Sequence, residues 1–280
     1  YKLEYARKEE TDFAQMLAPW HEIDEIKTAE KTKIIEDAVG DIICINLDRA
    51  PAYRRWTGDI ATTLGQLRGI ENFMFDMYDN PKWLHNLLAF LRDGILKTHD
   101  QAEQAGDWGL SNHDNQAMPY VSELADPAAN TFDVKRSQLW NFTAAQEFAL
   151  ISPEMHDEFI LQYQLPIMSK FAMVAYGCCE DLTHKIDILR KIPNLRRIAV
   201  SPFANVASCA EQIGSDYIAS YRPSPADMVS YGYDEERIKR TITQDVDALR
   251  HNNCRFDVTL KDVETVEKDP TRIQRWVALV

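Results

Sequence analysis

The chain has 280 residues, 45% of them apolar, and carries 31 basic against 44 acidic side chains. This size and apolar content allow one large core to form without disulfides or a structural metal. The net charge of −13 argues against nucleic acid or an anionic membrane as the main partner, so we expect a small molecule or another protein.

The cysteine pattern and the N-terminal sequence predict a reducing compartment. The chain has five cysteines, an odd number, and two of them are adjacent, which is a poor layout for a disulfide framework. The N-terminus is charged and lacks a signal-peptide core, and no apolar run is long enough for a membrane span. We therefore expect a cytoplasmic protein with reduced thiols. The first residue is Tyr1 and not Met, so we also expect part of the native N-terminus to be missing.

The first hundred residues carry few chemical signals. Residues 1 to 40 are charged and mostly helical in pattern, and Asp41–Leu47 form a short β-like run. Residues 49 to 69 are irregular and suit a lid or rim. A long amphipathic helix is predicted from Asn80-Pro81 to about Ala105, because its leucines fall on one stripe and Gly106 ends it.

From residue 108 onward a unit of strand, polar end and helix repeats. The predicted strands are Trp108–Ser111, Gln138–Phe142, Ala172–Tyr176, Arg196–Val200, Tyr217–Tyr221 and Phe256–Leu260, and the clearest helices are Pro153–Lys170, Leu182–Ile192, Ala204–Ile213 and Glu235–Leu249. Repeated βα units imply a parallel sheet. Their number, and the absence of Gly-rich phosphate loops, favour an α/β fold of the (β/α)8 TIM-barrel type, with a helical N-terminal segment and one domain over residues 1 to 280.

Polar side chains follow the predicted strands, where a barrel keeps its chemistry. They are Asn112-His113-Asp114, Gln146-Glu147, Cys178 with Glu180, Ser201, Tyr221-Arg222, and Lys261-Asp262 with Glu264. Any one of these clusters alone is explained by ordinary loop polarity. His113 is the one histidine that we consider a site candidate, and Trp56 and Trp140 suit a ring-binding pocket.

Cys178 strengthens the case that these polar clusters form a functional site. A single cysteine is more often a small buried apolar group. Here Glu180 and Asp181 disfavour a free thiolate, whereas a bound cation would hold one, so the residues suit a metal better than covalent catalysis. A thiolate with oxygen or nitrogen ligands is typical of catalytic zinc. Strand alternation further predicts that Cys178 faces the site and Cys179 faces away.

Three segments resemble the uroporphyrinogen decarboxylase superfamily, and within it the corrinoid-dependent methyltransferases that act on methanol, methylamines and methyl ethers. They are Leu150–Phe159, with Ser152-Pro153-Glu154-Met155 the most distinctive part, the strand end Tyr176-Gly177-Cys178-Cys179-Glu180, and Phe75–Pro81. The resemblance covers about residue 40 to the C-terminus.

The resemblance implies a zinc site. The methanol- and methylamine-type members read His-x-Cys at the strand end and have a second Cys near the C-terminus, whereas this chain has Tyr176 in place of the His and Asp262 or Glu264 in place of the last Cys. This departure resembles the more oxygen-rich ligand sets expected in relatives that cleave methyl ethers. The implied metal ligands are therefore Cys178, Glu147, Glu180 and Asp262. The candidate catalytic residues are Glu147, His113 and Tyr176, and the candidate substrate-binding residues are Trp140, Asn112, Arg222 and Tyr221.

The function implied is methyl transfer from a methoxylated small molecule to a corrinoid. The corrinoid-binding signature is absent, so the corrinoid would be carried by a partner protein. Two alternatives remain at this point. One is a decarboxylase of the uroporphyrinogen type, which requires basic groups for many carboxylates, and the other is an inactive homologue that binds a corrinoid protein.

Overall fold

Alternating strands and helices build a mixed α/β protein with a parallel five-stranded sheet. This computed structural model describes residues 15 to 52, 59 to 114 and 120 to 280. The strands are β1 (Trp140–Thr143), β2 (Met173–Tyr176), β3 (Leu195–Val200), β4 (Ile218–Tyr221) and β5 (Arg255–Val258), and they follow one another in the sheet in sequence order. The predicted α/β class is confirmed.

The helices separate the strands along the chain. They are α1 (Glu25–Val39), α2 (Ile60–Arg68), α3 (Ile70–Asp79), α4 (Pro81–Ala105), α5 (Pro153–His156), which continues through a π turn (Asp157–Leu161) into α6 (Gln162–Met168), then α7 (Ile186–Leu189), α8 (Val206–Ile213), α9 (Glu235–His251) and α10 (Thr271–Leu279). No helix in the described ranges is long and apolar enough to cross a membrane.

The contact pattern divides the chain into two compact units. Unit 1 comprises residues 1 to 174 and 192 to 194, and unit 2 comprises residues 175 to 191 and 195 to 280. The core of unit 1 surrounds α4, whose buried stripe is Leu84, Leu87, Leu88, Leu91 and Ile95. This helix is confirmed at both ends: Pro81 is its first residue, and Gly106 follows it in the left-handed conformation at φ 76°.

Unit 2 is organised by three parallel strands. Val200 at the end of β3 pairs with Tyr221 at the end of β4, which pairs in turn with Val258 at the end of β5. Parallel strands in this register bring their carboxyl ends to one edge. The segments that follow carry Ser201, Arg222 and Lys261.

Local hydrogen bonds explain where the sequence-based elements were right and wrong. The helix start at Ser152-Pro153 is confirmed, because the Ser152 side chain accepts the Met155 N–H. The predicted strand Trp108–Ser111 is wrong: the Asn112 side chain accepts the Gly109 N–H at 2.7 Å and closes a 3-10 turn over Leu110–Asn112.

Two other predicted elements are shorter or absent. The helix predicted over Leu182–Ile192 begins only at Ile186, because the Asp181 carboxylate accepts the Thr183 N–H at 2.8 Å and holds a turn in place of the first helical turn. The β-like run Asp41–Leu47 forms no strand.

Candidate functional site

The chain turns sharply at the end of β2. Gly177 adopts φ 98°, which a residue with a side chain rarely adopts, and the extended conformation ends at Tyr176. The Glu180 carboxylate then accepts the Cys178 N–H at 2.7 Å and closes a tight loop. The two thiols therefore lie together, with their sulfur atoms 3.5 Å apart. The prediction that Cys178 and Cys179 face opposite sides is wrong. Side chains alternate only within a strand, and this strand ends at Tyr176, before the two cysteines.

A lysine from beyond β5 reaches this thiol pair. Lys261 Nζ lies 3.1 Å from Cys178 Sγ and 3.8 Å from Cys179 Sγ, and 3.2 Å from the Asp262 carboxylate. Burial lowers the pKa of Lys261, but its hydrogen bond to Cys178 and its charge interactions with Cys178 and Cys179 together outweigh burial, and the pKa is raised. An ammonium at this distance favours the thiolate form of Cys178.

The second thiol of the pair keeps its proton. The hydrogen bond to Cys178, together with burial, raises the pKa of Cys179. Two adjacent sulfur atoms cannot both ionise cheaply beside one ammonium, so the pair holds at most one negative charge near neutral pH. We assign that charge to Cys178, whose sulfur lies closer to Lys261.

Arg222 connects the thiol loop to a neighbouring cleft. Its side chain is 3% exposed, and its Nη1 donates to the Cys178 carbonyl at 2.6 Å. Its Nε is buried without a hydrogen-bond acceptor among the residues that the structure describes. Arg222 also lines a cleft of about 160 Å³ at the edge where β3 and β4 end.

The cleft has a mixed lining. Its residues are Ser201, Pro202, Ala204, Val206, Tyr221, Arg222, Pro223, Ser224, Asp227, Ile238, Thr241, Ile242, Asp245 and Trp276. The Tyr221 hydroxyl donates to Asp245 at 2.5 Å. Burial raises the pKa of Tyr221, and the bond to Asp245 raises it further, while burial also raises the pKa of Asp245. Tyr221 therefore keeps its proton and Asp245 accepts it in a hydrogen bond.

The predicted site residues of unit 1 are mostly engaged with the backbone. Both ring nitrogens of His113 face the main chain: Nδ1 accepts the Trp140 N–H at 3.2 Å, and Nε2 donates to the Ala125 carbonyl at 3.0 Å. Burial lowers the pKa of His113, so we expect a neutral ring. Asn112 donates to Asp48 at 3.0 Å, besides closing its turn.

Two other predicted residues of unit 1 retain unused polar atoms. Trp140 is 1% exposed, and its buried indole N–H has no acceptor in the described ranges of the chain. Glu147 is partly buried, and its Oε2 has no hydrogen-bond partner within the described part of the chain. In unit 2, Tyr176 is fully buried at the last position of β2. Trp56 lies outside the described residues.

The predicted metal ligands are divided between the two units, and among the described residues those of unit 2 do not form a metal-binding group. Glu147 belongs to unit 1, and the Glu180 carboxylate is turned onto the Cys178 N–H. Within the described ranges, no group of three or more His, Cys, Asp or Glu side chains is placed to hold a metal ion. Cys178 and Asp262, however, converge on one cation, the Lys261 ammonium. A thiolate and a carboxylate around a positive charge form a donor pair that suits zinc.

Sequence reasoning missed the roles of two lysines. In the sequence Lys261 is one of several polar residues after a predicted strand, and its contact with Cys178 spans 83 positions, so no local pattern reveals it. Lys185 is 3% exposed, and burial lowers its pKa to about 8 despite the nearby Glu180 and Asp181. From the sequence, a lysine four and five positions after two acidic residues is expected to lie on the surface.

No protein-family model, curated protein or solved structure matches the chain.

Proposed function

We propose that the chain is a methyltransferase that moves a methyl group from a methoxylated small molecule to the Co(I) corrinoid of a separate protein. The observation that carries the proposal is the contact of Cys178 Sγ with Lys261 Nζ at 3.1 Å, in the loop that follows β2. The resemblance of the Tyr176–Glu180 segment to the corrinoid-dependent branch points to the same residue.

The chemistry requires a positive charge beside the ether oxygen. When the methyl group leaves as an electrophile, the electron pair of the C–O bond remains on oxygen, and an alkoxide or phenolate develops. Lys261 supplies an ammonium, and therefore both a positive charge and a proton, at 3.1 Å from the Cys178 sulfur. Arg222 touches the Cys178 carbonyl and lines the cleft, so a donor held in the cleft is one side chain away from the thiol.

Zinc belongs to this proposal as an expected cofactor. Cys178 and Asp262 would hold it in exchange for the Lys261 ammonium, and when bound it supplies a Lewis acid for the departing oxygen. Because ammonium and metal compete for one thiolate, Lys261→Met is expected to raise the zinc content of the purified protein toward about one ion per chain. An unchanged, low zinc content in this variant would remove zinc from the proposal.

We also propose that the sheet belongs to a (β/α)8 barrel in a cytoplasmic protein. Consecutive strands that pair in sequence order, with helices between them, are typical of that fold. Five cysteines without a disulfide suit a reducing compartment. An experimental structure that closes the sheet on itself would establish the barrel, and an open sheet would exclude it.

The alternative of a porphyrinogen decarboxylase is less well supported. Such a substrate presents many carboxylates, and each requires a basic partner. Among the described residues that line the cleft, Arg222 is the one basic side chain. One guanidinium suits one acidic group, not a ring of them.

The test compares turnover with and without a corrinoid. The purified chain is incubated with a methoxylated donor, with reduced cobalamin either present or omitted, and both the demethylated donor and methylated cobalamin are quantified. We expect both products to form in equal amounts and only when cobalamin is present. Demethylation without any cobalt would identify a hydrolase and would sink the proposal, as would release of carbon dioxide in place of methyl transfer.

A further inference from the structure

Arg222 is a buried cation without an anionic partner in the described part of the chain. Its guanidinium is 3% exposed, its Nη1 binds a neutral carbonyl, and its Nε has no acceptor. Removing a charge from water costs several kcal/mol unless an opposite charge or a full set of hydrogen bonds replaces the solvent. One carbonyl does not replace the solvent around five N–H groups.

A neighbouring arginine shows the usual arrangement. Arg197 on β3 is equally buried, at 3% exposure, but its Nη2 binds the Asp257 carboxylate at 2.5 Å and the Ser220 hydroxyl at 2.9 Å. Both arginines lie in unit 2, on or directly after adjacent strands. The difference between them is the missing carboxylate at Arg222.

The carboxylates near Arg222 are committed elsewhere. Asp227 and Asp245 line the same cleft, but Asp227 binds Arg237 Nη1 at 2.5 Å and Asp245 accepts the Tyr221 hydroxyl at 2.5 Å. Neither forms an ion pair with Arg222. The charge that would balance the guanidinium therefore has to come from outside this set of residues, and the cleft gives it access.

We propose that the cleft binds the carboxylate of a small organic monoacid, with Arg222 as its cationic partner. A volume of about 160 Å³ accommodates one ring or a chain of similar size, since a cavity of about 150 Å³ binds benzene. The apolar walls, including Ile238, Ile242 and Trp276, suit the body of such a ligand. A monoanion matches one guanidinium, whereas a phosphate dianion would also meet Asp227 and Asp245.

If the acid is also the methyl donor, the donor is a methoxylated carboxylic acid. This part of the inference rests on the proposed function. Binding of the acid itself is independent of methyl transfer. The two ideas can therefore fail separately.

The test is calorimetric titration of the purified chain with benzoate and with its neutral isostere benzamide. We expect benzoate to bind about 10- to 100-fold more tightly, the range of one charge-assisted hydrogen-bonded pair. Equal affinities for the two ligands would overturn the inference without recourse to any variant. Tighter binding of inorganic phosphate than of benzoate would overturn the carboxylate class.

Two variants locate the effect. Arg222→Met is expected to lose the preference for benzoate and to melt at or above the wild-type temperature, because it removes an unbalanced buried charge. The matched Arg197→Met is expected to melt lower, because it leaves Asp257 buried without its partner. Retained preference for benzoate in Arg222→Met would exclude Arg222 as the anion partner.

A parallel activity assay separates the inference from the function. Benzoate binding without methyl transfer from methoxybenzoate would leave the inference standing and contradict the methyltransferase proposal. Methyl transfer from a neutral methyl ether, with no binding of benzoate, would do the reverse.

Discussion

At the scale of single residues, the arrangement around Cys178 is governed by where the positive charges lie. Glu180 and Asp181 follow the thiols in sequence, and the sequence alone suggests that they suppress a thiolate. The structure turns Glu180 onto the Cys178 N–H and brings Lys261 to the sulfur. The positive charge beside the Cys178 sulfur in this structure is therefore that of a lysine.

Removing this ammonium is expected to make Cys178 less nucleophilic. In Lys261→Met the thiol pKa rises, so alkylation of Cys178 by a small reagent near neutral pH slows by about tenfold. The rate is measured from peptide masses, with the exposed Cys44 as the internal control in the same sample. Alkylation of Cys178 at the wild-type rate would show that Lys261 does not support the thiolate.

Lys185 gives a second prediction at this scale. Burial lowers its pKa to about 8, below that of an unfolded lysine, so the folded protein is penalised for holding this charge at neutral pH. Because the unfolded chain binds the extra proton between that pKa and the ordinary one, this group's contribution to stability rises with pH above about 8.

We therefore expect Lys185→Met to be the more stable protein at neutral pH, by roughly 1–3 kcal/mol, and to lose this advantage as the pH rises toward 10. Urea unfolding across this pH range measures the difference, and the exposed Lys239→Met serves as the control. A difference that does not change with pH would mean that Lys185 does not titrate in this range.

At the scale of elements, the site depends on how β2 ends. Gly177 combines φ 98° with close neighbours: a Cβ there would lie 2.5 Å from a methyl group of Leu182 and 3.1 Å from that of Ala199. A methyl group is excluded by both the backbone conformation and the packing.

Gly177→Ala is expected to destabilise the protein by about 2–4 kcal/mol and to displace Cys178 from Lys261. Gly214 supplies the matched control, because it also has positive φ but nothing within 4 Å of its Cβ position. Its alanine variant is expected to lose only about 1 kcal/mol, from backbone strain alone. Similar losses in the two variants, measured by urea unfolding, would contradict the packing argument.

The elements also show which features a sequence can predict. The helix that starts at Pro153 and the long helix from Pro81 to Ala105 were predictable because their caps and apolar stripes are local signals. The 3-10 turn at Leu110–Asn112 was missed because one side-chain hydrogen bond decides it. Strand alternation failed at Cys178 because a single glycine had already ended the strand. The contact of Lys261 with Cys178 depends on tertiary structure, so the sequence could place both residues at strand ends but not together.

At the scale of the whole molecule, net charge and buried charge point to the same kind of ligand. A net charge of −13 disfavours large polyanions. Among the described residues, a buried arginine without a carboxylate partner lines a cleft of about 160 Å³, which suits one small acid. Together they describe an acidic protein with one local site for an anionic small molecule. The methyltransferase proposal requires in addition that the methyl group of the bound acid be accessible to the corrinoid of a partner protein.

The most direct measurement follows an isotopically labelled methyl group. Methoxybenzoate with a deuterated methyl group is mixed with the wild-type chain and reduced cobalamin, and the label in cobalamin is quantified by mass spectrometry. We expect labelled cobalamin with the wild type and with Cys179→Ala, and loss of nearly all label with Cys178→Ser, which remains folded. Equal labelling by Cys178→Ser and the wild type, or no labelling by any of them while benzoate binds, would contradict it.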